Sequence, residues 1–204
     1  MRDAKKSREK IIQNAIELFS KEGYHKTSLD DIAKKSNINK AMIFYYYKSK
    51  AGLYEEVMSK TLSDIYSTIK EAIKNSSRAK DNLKIFIETY AKYCIKYSYL
   101  PPLLLRELSS NGQNLPFEMR NKMYQLFLLL DSILKDGQKR GEFRENISIV
   151  IHFMITGTLN LFIVSKPLRE DAKEFDSSFP SATEYSIEEI CSYIYKTILK
   201  TLEV

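Results

Sequence analysis

At 204 residues, 44% of them hydrophobic, the chain is long enough to bury one or two compact cores. Six glycines and five prolines argue against a strand-rich fold and for long helices, and two cysteines are too few for a disulfide scaffold. The formal charge of +6 falls entirely on residues 1–50, with 12 Lys and Arg against 6 Asp and Glu, whereas residues 51–204 hold 20 against 20. A small basic head on a neutral body is the electrostatic footprint of nucleic-acid binding.

In chain order, the first predicted element is an amphipathic helix with Lys5, Lys6, Arg8 and Lys10 on its polar face, ending near Phe19, Gly23 and Tyr24. It follows Met1 with no apolar core or cleavage site of a secretory signal, so a reduced, cytoplasmic protein is expected. Residues 27–53 then read as two short helices joined by a tight turn, the pattern of a helix-turn-helix DNA reader. Thr27 and Ser28 are cap-type residues, with Asp30 and Asp31 in the first turn, where the helix dipole favours carboxylates. Leu29, Ile32 and Ala33 face one way, Asn37 suits the left-handed turn, and Asn39 caps a second helix over 40–46.

This stretch resembles the DNA-binding segment of the TetR family of transcriptional regulators. The resemblance spans about the first 55 residues and rests on an ordered combination: Phe19, Gly23 and Tyr24 upstream, then Tyr46, Tyr47, Ser49, Lys50 and Leu53 downstream. Asn37 and Ala41 stand where the family usually has glycine, and Phe44, where it usually has tyrosine, lacks a hydroxyl for a phosphate. The resemblance together with helix-terminus geometry places Asn39, Lys40, Ala41, Met42 and Tyr45 nearest the bases. Thr27, Ser28, Tyr46 and Lys50 are placed on the phosphates, and Phe44 lies on the same DNA-binding helix.

After Lys50 the helical period persists. Leu53, Val57, Thr61, Ile65, Ile69 and Ile73 recur every four residues, with Leu62 and Tyr66 beside them, and a break is expected at 75–77. A helix through Leu83, Phe86, Ile87, Tyr90, Cys94 and Tyr97 ends before Pro101 and Pro102, and a short helix then runs to Asn111 and Gly112. A longer one follows Pro116 and stops near Gly137 to Gly141. Residues 146–165 carry no charge, but Ser148, His152, Thr156, Thr158 and Asn160 speak against a membrane span and for a helix buried on two sides, one against a second subunit. Residues 165–185 are expected to be a loop, and a last helix from Ser186 carries the stripe Ile187, Ile190, Cys191, Ile194, Ile198 and Leu202.

The expected fold is all-α: a three-helix helix-turn-helix domain at 1–50 and a helical effector-binding and dimerisation domain at 51–204, about nine helices in all. In the resembled family the last two helices of each subunit form a four-helix dimer interface, which implies a homodimer meeting through His152, Gly157, Ile190, Ile194, Ile198 and Leu202. The family also implies a repressor of a palindromic DNA operator, released by a small-molecule effector. Inward tyrosines, methionines and phenylalanines suit an apolar or aromatic ligand: Tyr90, Tyr93, Tyr97, Met119, Met123, Phe127, Phe153 and Asn160.

The rival readings are an all-helical enzyme and a helical adaptor without DNA binding; the adaptor leaves the charge asymmetry unexplained, and enzyme chemistry finds little support. His25 and His152 have no metal-ligand spacing, the six glycines form no phosphate-cradling loop, and no nucleophile elbow occurs, so no metal, cofactor or catalytic residue is expected.

Overall fold

The computed structural model describes residues 2–73, 78–175 and 185–203, with the backbone alone at 2, 3, 60–64 and 173. The break expected at 75–77 and the side chains of Thr61 and Leu62 lie outside the described residues. Those residues hold ten helices and no strand: α1 (Arg2–Lys26), α2 (Leu29–Ser36), α3 (Lys40–Tyr47), α4 (Lys50–Ile73), α5 (Ala79–Lys96), α6 (Leu100–Ser109), α7 (Phe117–Lys139), α8 (Ser148–Val164), α9 (Lys166–Phe175) and α10 (Ile187–Leu202).

The chain divides into two compact units. The first runs to Asp64 and also takes Pro102–Lys122, so α6 and the start of α7 pack with the amino-terminal helices. Its core is built from Ile11, Ala15, Phe19, Ile32, Ile43, Leu53, Tyr54 and Val57. Phe19 meets the Tyr54 ring edge-on at 4.8 Å, and Tyr24 approaches the same ring at 4.9 Å. Helix α1 breaks at Gly23, whose φ of 84° and ψ of 169° leave helical space. The backbone angle is what favours glycine there; a Cβ would also stand 2.8 Å from Cδ of Arg106 and push that side chain aside. Arg106 donates from Nη2 to the Lys21 carbonyl at 3.1 Å.

The second unit comprises Ile65–Pro101 and Met123–Val204. Helix α10 packs on α5 and α8, and α5 packs on α8. Its start is fixed by a reciprocal cap in which Ser186 Oγ accepts from the Glu189 N–H and the Glu189 carboxylate accepts from the Ser186 N–H.

Within the segment 165–185 expected to be a loop, residues 166–175 form α9 instead. Pro167 is its second residue, a position where the missing N–H breaks no helical bond. Arg169 ties the junction together: its guanidinium lies 4.2 Å from the Phe162 ring centroid and donates to the Phe162 carbonyl and the Ser165 hydroxyl. No single helix among the described residues is long and apolar enough to cross a membrane, and α8 reaches that composition only with α9, from which it is bent by 56°.

Candidate nucleic-acid interface

The turn between α2 and α3 is set by local chemistry. Ser28 Oγ accepts from the Asp31 N–H at 3.1 Å, and the Asp31 carboxylate accepts from the Ser28 hydroxyl and, at 3.0 Å, from the Ser28 N–H; the hydroxyl bond first and the N–H bond second hold the Asp31 carboxyl below its ordinary value. At the other end Asn37 adopts φ 51° and ψ 48°, and its N–H bonds the carbonyls of Ala33 and Lys34. Asn39 Oδ1 then accepts from the Ala41 N–H at 2.8 Å and opens α3.

Helix α3 turns Ile43 and Tyr47 into the core and leaves Ala41, Met42, Phe44 and Tyr45 outside. Tyr45 is 69% exposed and Phe44 45%, a large apolar exposure for an eight-residue helix. Lys48 covers the Tyr45 ring at 5.6 Å and donates to the Tyr45 carbonyl. Asn39 is exposed, while Ser28, Lys40 and Tyr46 are partly so.

Thr27 departs from the expectation. It is 1% exposed, and its hydroxyl donates to the Gly23 carbonyl at 2.9 Å, so the proton it would offer a phosphate is spent inside the head. Lys50 is partly committed as well. Its ammonium donates to the carbonyls of Tyr24 (3.0 Å) and Thr27 (3.1 Å) and sits 4.4 Å from the Tyr24 ring centroid. Those bonds satisfy carbonyls left open where α1 ends and the chain turns into α2, and they leave one of the three ammonium protons for another acceptor.

Arg8 was not singled out from the other cations of α1 by its sequence context. Its guanidinium lies 5.8 Å from the Tyr46 ring and 5.7 Å from the Tyr47 ring, and it pairs with Glu56 at 3.7 Å. The Tyr47 hydroxyl donates to the Arg8 carbonyl at 3.4 Å.

In the second unit the Tyr90 hydroxyl donates to Asn160 Oδ1 at 3.1 Å, and the Cys94 thiol approaches the same oxygen at 3.8 Å, all three being buried. Burial pushes the Tyr90 phenol up and the Cys94 thiol up to about 12. The rings of Tyr93 and Tyr97 lie 4.5 Å apart, and Met123 and Phe127 are half-buried. Two residues expected in this lining stand elsewhere. Phe153 is 61% exposed, on the outer side of α8, and Met119 is buried in the first unit.

Three of the six expected dimer contacts lie inside the chain's own core. Ile194, Ile198 and Leu202 are buried by the chain's own α5 and α8, and Ile190 is half-buried. The stripe was legible, but its neighbour is internal. On α8 itself Ile149, Val150, Phe153 and Leu161 stand exposed, and on α10 Tyr193 does. Gly157 lies among these, and a Cβ there would meet nothing within 4 Å. His152 packs between Phe127 and Phe153 with Nδ1 unpartnered, and burial lowers its pKa.

Comparisons with known proteins agree with this arrangement. Residues 11–57 match the family described as bacterial regulatory proteins, tetR family, and residues 58–178 match the one described as YsiA-like protein, C-terminal region. The fatty acid metabolism regulator protein of Bacillus subtilis (strain 168) is 24% identical over 151 residues, covering 74% of this chain and 78% of that protein. The biofilm operon icaADBC HTH-type negative transcriptional regulator IcaR of Staphylococcus aureus (strain Newman) is 55% identical over 49 residues, 24% of this chain and 26% of its own. Among solved structures, FadR from Bacillus subtilis in complex with stearoyl-CoA superposes with a TM-score of 0.73 at 20% identity, covering 93% of this chain and 96% of that one. A tetR-family regulatory protein from Rhodococcus RHA1 does so with 0.77 at 19%, covering 97% of each, and both show the fold alone. With two family matches that together run from residue 11 to 178 and an amino-terminal head that caps, turns and exposes a short helix as a DNA reader does, the chain belongs to the tetR family of DNA-binding transcriptional regulators.

Proposed function

We propose that the chain is a homodimeric repressor that reads a palindromic operator with α3 and leaves it when a small apolar or aromatic molecule occupies the second unit. The observation that carries the DNA-reading part is the outward face of α3: Met42, Phe44 and Tyr45 stand exposed on a helix whose other side is locked into the core. In this reading residues 1–50 hold the DNA contacts Ser28, Asn39, Lys40, Ala41, Met42, Phe44, Tyr45, Tyr46 and Lys50, while 51–204 serve effector and dimer. Met42 and Ala41 offer methyl contacts to thymine, and Lys40 offers donors to guanine. A cytoplasmic location follows from the DNA partner.

The effector lies among Tyr90, Tyr93, Tyr97, Met123, Phe127 and Asn160. FadR was solved with stearoyl-CoA, so a long-chain acyl-CoA is the first compound to test, ahead of aromatic compounds. The dimer forms on the exposed face of α8, because a self-complementary apolar patch closes with two-fold symmetry. A two-fold dimer requires a palindromic site.

Selection from a randomised duplex pool tests this directly. The expected product is an inverted repeat, bound by two copies, with affinity that falls at least about tenfold when stearoyl-CoA is added, a coupling of about 1.4 kcal/mol. No enriched sequence would overturn the DNA-reading assignment, and an enriched sequence insensitive to acyl-CoA and aromatic compounds would overturn the effector assignment alone.

A further inference from the structure

Two adjacent aspartates open α2, and they have different partners. Asp31 is occupied with Ser28 in the cap. Asp30 takes no part in it: its Oδ2 accepts a 2.6 Å bond from Nζ of Lys40, the first residue of α3. The pair therefore spans the turn and joins both helices of the motif through the side chain at the amino-terminal end of α3. The Lys40 ammonium also lies 6.0 Å from the Phe44 ring centroid. The Asp30 side chain is 70% exposed and the Lys40 side chain 43%, so the pair adds little to stability. Its consequence is where the ammonium is held.

We propose that Asp30 is a positioning residue for Lys40, holding the ammonium so that it reads guanine and not the phosphate backbone. The inference rests on α3 being the DNA-reading helix. An ammonium has three protons, and with one on Asp30 the others remain for the O6 and N7 acceptors that guanine presents together in the major groove. The amino-terminal residues of a recognition helix are those that reach base edges, which is where Lys40 stands. A lysine without a partner is a flexible point charge that finds phosphate on any sequence. Lys40 must leave Asp30 to do so, which exposes the carboxylate to the DNA charge. Asp30 thus subtracts from binding to all DNA and preserves the contact that depends on a base.

The test is parallel selection from a randomised duplex pool with the wild-type chain, Asp30→Asn, Asp30→Ala and Lys40→Ala, each checked for a native helical spectrum and thermal transition. The wild type should prefer guanine at one position per half-site. Lys40→Ala should lose that preference, and both Asp30 variants should weaken it at least about fivefold while keeping the rest of the consensus. On a shuffled duplex Asp30→Asn should bind more tightly, with a salt dependence steeper by about one charge. In a Lys40→Ala background Asp30→Asn should leave the ratio of selected to shuffled binding unchanged, because a plain charge effect acts on both alike. A merely structural Asp30 would move the thermal transition and not one base preference. Guanine preference intact in both Asp30 variants, or insensitive to Lys40→Ala, would overturn the proposal while leaving α3 as the reader. Failure of the wild type to enrich any sequence would overturn that assignment and this proposal together.

Discussion

The phenol of Tyr54 donates a 2.6 Å hydrogen bond to the carboxylate of Glu107, both residues buried in the first unit, and the second carboxylate oxygen has no partner. This bond joins α4 to α6, and burial, followed by the bond itself, pushes the Tyr54 phenol well above its ordinary value. Tyr54→Phe strips a buried carboxylate of its donor and should cost about 3 kcal/mol in urea unfolding at neutral pH. Glu107→Gln keeps an acceptor without the charge and should cost less. A loss below about 0.5 kcal/mol in Tyr54→Phe would mean that another donor serves Glu107.

Thr27 and Lys50 should separate under salt titration. Thr27→Val removes a buried hydroxyl bonded to Gly23, so it should lower stability by about 1 kcal/mol and leave the salt slope of DNA binding unchanged. Lys50→Met removes two bonds to carbonyls together with the free proton. It should destabilise the head and also flatten the slope by about one unit, binding all sequences more weakly alike. An unchanged slope in Lys50→Met would restrict that lysine to holding α1.

Charge placed on the two sides of α8 and α10 should have opposite outcomes. Phe153→Asp and Leu161→Asp alter exposed side chains and should give folded monomers by analytical ultracentrifugation. Ile194→Asp and Ile198→Asp bury a charge within the chain's own core and should unfold it or leave it insoluble. Folded dimers from Phe153→Asp and Leu161→Asp would place the interface on another surface.

Alkaline pH should weaken the second unit. Burial raises the Cys94 thiol to about 12 and the Cys191 thiol to about 11, against about 8.5 in an unfolded chain. A folded pKa above the unfolded one gives stability that is complete below pH ~8.5 and is lost as pH climbs toward the folded value. Unfolding free energy should therefore decline between about pH 9 and 11, and Cys94→Ser should change the steepness of that decline. In the native state both thiols should resist a thiol reagent that modifies them at once in urea. Fast native modification of Cys94 would show that its site opens.

What the sequence determined by itself is what a few neighbouring residues decide. The caps at Ser28, Asn39 and Ser186 and the left-handed Asn37 involve partners within four positions, so their chemistry is visible in a short window. The stripe Ile194, Ile198 and Leu202 was likewise legible as buried, because period alone reports burial. Period cannot name the neighbour: α8 is apolar around most of its circumference, so only packing against α5 and α10 could decide which side stays outside. The Lys50 ammonium was drawn to carbonyls 23 and 26 positions upstream. Those partners, like Arg8 beside Tyr46 and Glu107 beside Tyr54, meet only when helices distant in sequence are brought together, and no window of the chain contains both ends of such a contact.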